Sequence, residues 1–224
     1  VLDILYEDDF LLFLDKPAGI VVQRGFDPHE QTLWDLATAH TTPLFLLQRL
    51  DRGTSGVIFF SKREEMNVRI TRRFEKKAIR KRYLAIVEGE LAERQTIDAP
   101  MERIGAIKFA VGEGGKQAIT DVEPLHATPR GSLVSVNLRT GRTHQIRVHL
   151  SAIGHPLAGD WLYGERSADR PMLHSAQLDM THPATNAPLQ VAAPLPADFL
   201  AECGRRGIVP ARGQNDPAGV QLNH

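Results

Sequence analysis

The chain is poor in cysteine: Cys203 is the only one in 224 residues. One thiol excludes an internal disulfide and a zinc site built on cysteines, and it suits a reducing, cytoplasmic setting. Long hydrophobic runs are missing too, since nothing approaches the roughly 18 apolar residues of a membrane span. No secretory signal is visible: the first residues are acidic, and a start at Val1 without Met suggests a trimmed chain. Net charge is zero, with 27 Lys and Arg against 27 Asp and Glu. That argues against a protein that coats nucleic acid at large. What is present is enough apolar material, 42%, for a real core. The length suggests one large domain or two small ones. Repeats, low-complexity tracts and linkers are absent. The expectation is therefore one domain over 1–204 and a loosely held Gly/Pro/Asn-rich tail over 205–224.

The zero sum hides an asymmetry. Residues 61–82 hold ten basic side chains against Glu64, Glu65 and Glu75, while residues 1–15 hold five acids and no base. The choice is between a local basic face and a solvated charged helix. Ser61-Lys62-Arg63-Glu64 fits a capping box, and Met66, Ile70 and Phe74 form the apolar stripe of the helix that follows. Gln31–His40 reads as a shorter helix. Strands are expected at 4–8, 10–14, 44–50, 57–60, 83–87, 118–125, 133–138 and 172–180. Residues 91–116 should hold short strands with a flexible hairpin tip at Gly112-Glu113-Gly114-Gly115. Thr143 is positioned to cap a helix over 143–153, ended by Gly154 and Pro156. A last helix begins near Pro196. Hairpins outnumber βαβ units, so the class is α+β, with a mixed, mainly antiparallel central sheet flanked by helices and loops.

Several chemistries can be set aside. The histidines lack the His-Glu-x-x-His spacing, so no metal site is expected. Gly53-Thr54-Ser55-Gly56 is not a Gly-x-Ser-x-Gly elbow. Gly112–Gly115 lacks the Lys-Ser/Thr end of a phosphate loop. Two stretches remain. In Gln48-Arg49-Leu50-Asp51-Arg52-Gly53-Thr54-Ser55-Gly56 one carboxylate sits between two arginines at a Gly-rich turn. Asp51 is either an ordinary turn acid or a catalytic group held between two strands. In Gly141-Arg142-Thr143-His144-Gln145-Ile146-Arg147-Val148-His149, a helix would place His144, Arg147 and Ser151 on one face. Arginine early in a helix opposes the dipole. Arg147 is either exposed or the partner of a carboxylate such as Asp51. A glycosidase would need a second acid, and Glu88, Asp121 and Asp160 carry no pattern that marks one.

Four blocks in order carry a resemblance. They are Lys16-Pro17-Ala18-Gly19; Arg49-Leu50-Asp51 with Thr54-Ser55-Gly56; Lys81-Arg82-Tyr83-Leu84-Ala85-Ile86-Val87-Glu88-Gly89; and Gly141 to His149, followed by Gly154-His155-Pro156, Gly159-Asp160 and Tyr163-Gly164. Leu173-His174, His182-Pro183 and Ala193-Pro194 continue it. From about Tyr6 to Leu200 the chain resembles the RluA-type family of RNA pseudouridine synthases. That resemblance implies the pseudouridine synthase fold and isomerisation of uridine in structured tRNA or rRNA, without cofactor or metal. It implies Asp51 as the catalytic carboxylate, Arg147 as its ion-pair partner and Tyr83 as a group stacked on the target base. Arg49 would fill the space of the flipped nucleotide, since chemistry on a base needs it out of the stack. Further RNA contacts are expected from Arg52, Arg72, Arg73, Lys76, Lys77, Arg142 and His144. A cytoplasmic monomer is expected. The chain departs from the family at Gln48, usually His, at Asp15, usually Asn, and at Gln23, often His. An RNA-binding protein on this fold with its isomerase activity lost is the alternative, and Gln48 is its warning sign.

Overall fold

The computed structural model describes residues 2–25, 27–210 and 220–222, the last three by backbone only. In chain order the elements are β1 (Ile4–Glu7), β2 (Leu11–Lys16), α1 (Leu33–His40), β3 (Phe45–Leu46), β4 (Ser55–Ser61) and α2 (Glu64–Glu75). There follow β5 (Arg80–Val87), β6 (Gln95–Asp98), β7 (Met101–Arg103), β8 (Phe109–Val111), β9 (Ile119–Thr128), β10 (Gly131–Leu138) and α3 (Gln145–Ala152). The chain closes with β11 (Leu173–Thr181), β12 (Pro188–Ala192), α4 (Ala197–Arg206) and β13 (Val220–Leu222). This is the α+β class that the pattern of hairpins implies. Contacts divide the chain into two compact units: residues 1–81, 175–194 and 216–224, and residues 82–174 and 195–215.

The first unit is organised on β2 and β4, paired antiparallel from Leu11↔Ser61 to Lys16↔Gly56. All seven residues of β4 are buried. One face carries Leu11, Phe13, Val57 and Phe59, packed with Ile70 of α2 and with Leu178, Leu189 and Val191. Phe13 stacks on Phe59 at 5.0 Å, and Phe59 on Phe74 at 6.2 Å. The stripe Met66, Ile70, Phe74 thus faces the core as its spacing requires. The other face meets α1, where Trp34 lies edge-on to Phe60 at 5.8 Å. A strand buried on both faces reads as a continuous apolar run, which is how Val57–Phe60 looks in the sequence.

In the second unit β5, β10, β9 and β6 are neighbours in that order. Tyr83 pairs with Val136 in the β5–β10 ladder, and Gly131↔Thr128 opens the β9–β10 hairpin. β7 and β8 form a separate two-stranded ribbon.

Several boundaries differ from expectation. The strand over 44–50 shrinks to Phe45–Leu46. α1 starts at Leu33, with a true capping box between Thr32 and Asp35. α2 starts at Glu64 behind Arg63, which makes no side-chain cap. Ser61 Oγ instead donates to the Arg63 carbonyl at 2.9 Å, a local turn that competes with a capping box. The tip of the β7–β8 ribbon is 104–108, not Gly112–Gly115. Gly115 lies against the Met101 backbone so closely that a Cβ would sit 2.3 Å from the Met101 carbonyl carbon. Gly115 thus permits close backbone approach, while Gly112 and Gly114 lie against the Glu102 side chain. Within 205–224, Arg205 and Arg206 complete α4, and Ile208 is buried. Residues 211–219, 223 and 224 lie outside the described residues. No described helix is long and apolar enough to cross a membrane.

Candidate active site

In the first unit, Asp51 follows an irregular segment and precedes β4, so one strand rather than two holds it. The Thr54 N–H donates to the Asp51 carbonyl at 3.1 Å, closing the turn. The next carbonyl, that of Arg52, is gripped twice. The Gly19 N–H donates to it at 2.8 Å and Lys16 Nζ at 3.2 Å. Lys16 is completely buried, and its ammonium also donates to the carbonyls of Pro17 and Ile20, both at 2.8 Å. A buried ammonium is tolerable only when its donors are satisfied. Here three carbonyls do so and tie the Lys16-Pro17-Ala18-Gly19 turn to the residue after Asp51. Gly56 has φ of 103°, a conformation that favours glycine.

Around this turn Arg49 is exposed. Arg52 is also exposed but ion-paired to both carboxylate oxygens of Glu30, at 2.5 and 2.9 Å. On α2 Arg72 is exposed, as are Lys76, the C-cap, and Lys77 just beyond it. Arg73 is half-buried and donates to the Thr181 carbonyl at 2.6 Å and to Asn186 Oδ1 at 3.1 Å. Asp15 is the one strongly shifted acid of this region: burial, with help from the Asp3 charge, pushes it up to about 6.

In the second unit, α3 begins at Gln145, with His144 as its N-cap in the left-handed region at φ 58° and no side-chain cap of its own. The expected Thr143 cap is replaced by Gln145. Its Oε1 accepts from the Arg142 N–H at 3.0 Å and from Thr140 Oγ1 at 2.9 Å. Its Nε2 donates to the Ile119 carbonyl and to Thr120 Oγ1. The face shared by His144, Arg147 and Ser151 converges on Tyr163. Ser151 Oγ donates to the Tyr163 carbonyl at 2.6 Å, and the Arg147 guanidinium lies 5.0 Å over the Tyr163 ring. The Phe109 N–H donates to the Tyr163 hydroxyl at 3.1 Å, and His144 Nδ1 stands 2.8 Å from that hydroxyl.

Arg147 is 7% exposed and held bidentately by the fully buried carboxylate of Asp160, Nε and NH2 each at 2.7 Å. Fork-on-fork pairing of this kind orients the guanidinium as well as neutralising it. Asp160 is the residue of this cluster that pattern reading left without a partner. The signal was available, because an arginine in the first turn of a helix calls for a carboxylate and Asp160 follows a Gly159 turn at φ 76°. The other acids weighed as glycosidase partners are engaged too, Glu88 by Arg206 and Asp121 by Arg139. Tyr83 is 6% exposed on β5. Arg142 is exposed and donates from Nε to the Gln117 carbonyl at 3.1 Å. Among the described residues no group of three His, Cys, Asp or Glu could hold a metal ion.

Residues 10–152 match the family model of RNA pseudouridylate synthases. The ribosomal large subunit pseudouridine synthase D of Nitrosomonas europaea is 38% identical over 219 residues, taking in 89% of this chain and 64% of that one. The tRNA pseudouridine synthase C of Haemophilus ducreyi is 37% identical, over 86% of this chain and 90% of its own length. The chain belongs to the RluA-type family of RNA pseudouridine synthases. It spans less than two thirds of the Nitrosomonas relative's length. The human RNA pseudouridylate synthase domain containing 1 superposes with a TM-score of 0.74 at 27% identity, over 94% of this chain and 97% of that one. The human domain containing 4 shares the fold, with a TM-score of 0.77 at 24% identity over 93% and 95%. The span that matches the pseudouridine synthase model contains the Lys16 turn, Asp51, Tyr83 and Arg147. Asp160 and Tyr163, which hold and cover Arg147, lie just beyond it.

Proposed function

We propose that this chain isomerises particular uridines of a structured tRNA or rRNA to pseudouridine in the cytoplasm, with Asp51 as the catalytic carboxylate. The observation that carries the reading is that one family match, residues 10–152, spans Asp51, Tyr83 and Arg147. The reaction breaks the bond from N1 of the base to the ribose and forms one from C5. The C5 proton is then lost and N1 gains one, so atoms and electrons balance without a co-reactant. Asp51 either attacks the nucleotide or removes a ribose proton. Arg147 is the ion-pair partner of Asp51. A guanidinium offers donors enough to serve Asp51 while Asp160 orients it. Tyr83 stacks on the base and assists loss of the C5 proton. Arg49 fills the gap left by the flipped nucleotide. Arg72, Lys76, Lys77 and Arg142 form the main RNA contacts of this reading, Arg52, Arg73 and His144 contribute less because they are already engaged within the protein, and the chain acts as a monomer.

The expected result is that Asp51→Asn makes no pseudouridine in tRNA or rRNA transcripts, mapped at single-nucleotide resolution, while RNA binding stays within about threefold. Full activity in that variant would sink the assignment. One observation favours a binder that has lost the activity: Gln48 Nε2, where the family usually has histidine, is a buried donor with no hydrogen-bond partner. Under that reading, cellular RNA from a deletion strain would lack no pseudouridine.

A further inference from the structure

Trp161 is 61% exposed, directly after the buried Asp160. Exposed tryptophan is a costly way to cover a surface, and single apolar residues on a surface need no explanation but clusters do. This one is clustered. Ile104 and Ile107 at the tip of the β7–β8 ribbon are 55% and 52% exposed, and Val111 on β8 is 40% exposed. Of these, Trp161, Ile104 and Val111 meet at one groove of about 490 Å³, also lined by Phe109, Tyr163 and Lys108. Lys108 is the only charge among the lining residues. The groove shares Tyr163 with the Arg147–Asp160 pair, so within this unit it adjoins residues assigned to the reaction.

We infer that this groove is a subsite for an unpaired base of the substrate RNA next to the target nucleotide, with Trp161 as the stacking surface and Lys108 on the adjoining phosphate. The inference rests on the RNA-isomerase reading and names the part of the RNA that this unit holds. An exposed indole beside one lone cation is the pairing single-stranded nucleic acid prefers, a flat apolar face for the base and a point charge for the backbone. A protein segment would bury the apolar lining equally well but would need an acid placed for Lys108, whereas RNA carries a phosphate beside every base. The volume, about 490 Å³, lies in the range of cavities that take a whole small ligand, room for a base together with its ribose.

The test uses the chain's two tryptophans. With Trp34→Phe as background, Trp161 alone reports. A hairpin RNA with a uridine-containing seven-nucleotide loop should quench its fluorescence saturably, and a fully paired duplex of equal length should not. Trp161→Ala should weaken binding of the hairpin about tenfold. Lys108→Ala should lower the log–log slope of affinity on salt by about 0.7, the share of one single-strand phosphate. No quench, with Kd and salt slope unchanged in both variants, overturns the subsite while Asp51→Asn still decides the enzyme reading independently. Conversely, quenching by the hairpin together with a fully active Asp51→Asn would leave the subsite standing and remove the catalytic assignment. If Trp161→Ala instead converts a dimer to a monomer in sedimentation, the groove holds a second copy and the RNA proposal is wrong.

Discussion

Asp15 and Asp160 show two outcomes for a carboxylate taken out of water. Asp160 has a bidentate arginine and stays buried at Arg147. Asp15 has only the neighbouring Lys16 charge against burial and the Asp3 charge, and its pKa rises from the ordinary 3.8 to about 6. The folded chain therefore binds a proton at Asp15 between pH 4 and 6 that the unfolded chain has released. The stability linked to this group is highest below about pH 4 and falls as pH rises through 6. Asp15→Asn, the residue usual in the family, should remove that slope. Because part of the group reaches solvent, the gain at pH 7 is about 1–2 kcal/mol rather than the full linkage value. Denaturant unfolding at pH 4 and pH 7 checks it: the two chains should match at pH 4 and separate at pH 7, and a constant difference would remove the explanation. The family was legible because ordered blocks of sequence carry it, and the roles proposed for Asp51, Tyr83 and Arg147 come with those blocks. For Arg147 the sequence signals the need for a carboxylate, but which one answers is settled by packing, since Asp160 sits in a later turn than α3. Lys16 is a similar case. Its motif is visible, but the three carbonyls it satisfies are a tertiary fact.

Elements were legible where the period was long and one-sided. α2, with its stripe at 66, 70 and 74, and the β9–β10 hairpin needed nothing beyond their patterns. Ends were less legible, because Ser61 and Thr143 could cap by type and local geometry gave the work to other groups. The glycine run at 112–115 was misread for a physical reason: glycine marks both mobility and close approach, and the sequence does not distinguish them. The two meanings give different mutants. Gly115→Ala puts a Cβ into the Met101 backbone and should cost about 2 kcal/mol of unfolding stability. Gly105→Ala, at the true tip, meets only Lys108 Cβ at 3.9 Å and should be neutral within about 0.5 kcal/mol. Thermal melts of the pair decide it, and a harmless Gly115→Ala would restore the mobile tip.

For the whole molecule, net charge is the property that misleads. A chain with zero sum contacts RNA through whatever cations are not already occupied, and α2 shows how few of its basic residues qualify. Arg69 and Arg73 donate to the carbonyls of Pro183 and Thr181, so they pin the helix to the loop after β11. Arg72 and Lys76 are exposed one turn apart. The two groups should therefore separate experimentally. Arg72→Gln with Lys76→Gln keeps good helix formers and should leave the melting temperature within a degree or two. The same double variant should lower the log–log salt slope of RNA affinity by about 1.5–2, near one counterion per lost phosphate contact. Arg73→Gln should do the reverse. It loses two hydrogen bonds and about 1–2 kcal/mol of stability, with a smaller change of slope. Affinity measured between 50 and 200 mM salt, beside thermal unfolding of each variant, reads both quantities. An unchanged slope in the double variant would return α2 to a solvated charged helix and confine RNA contact to the Asp51 turn and the second unit's cations.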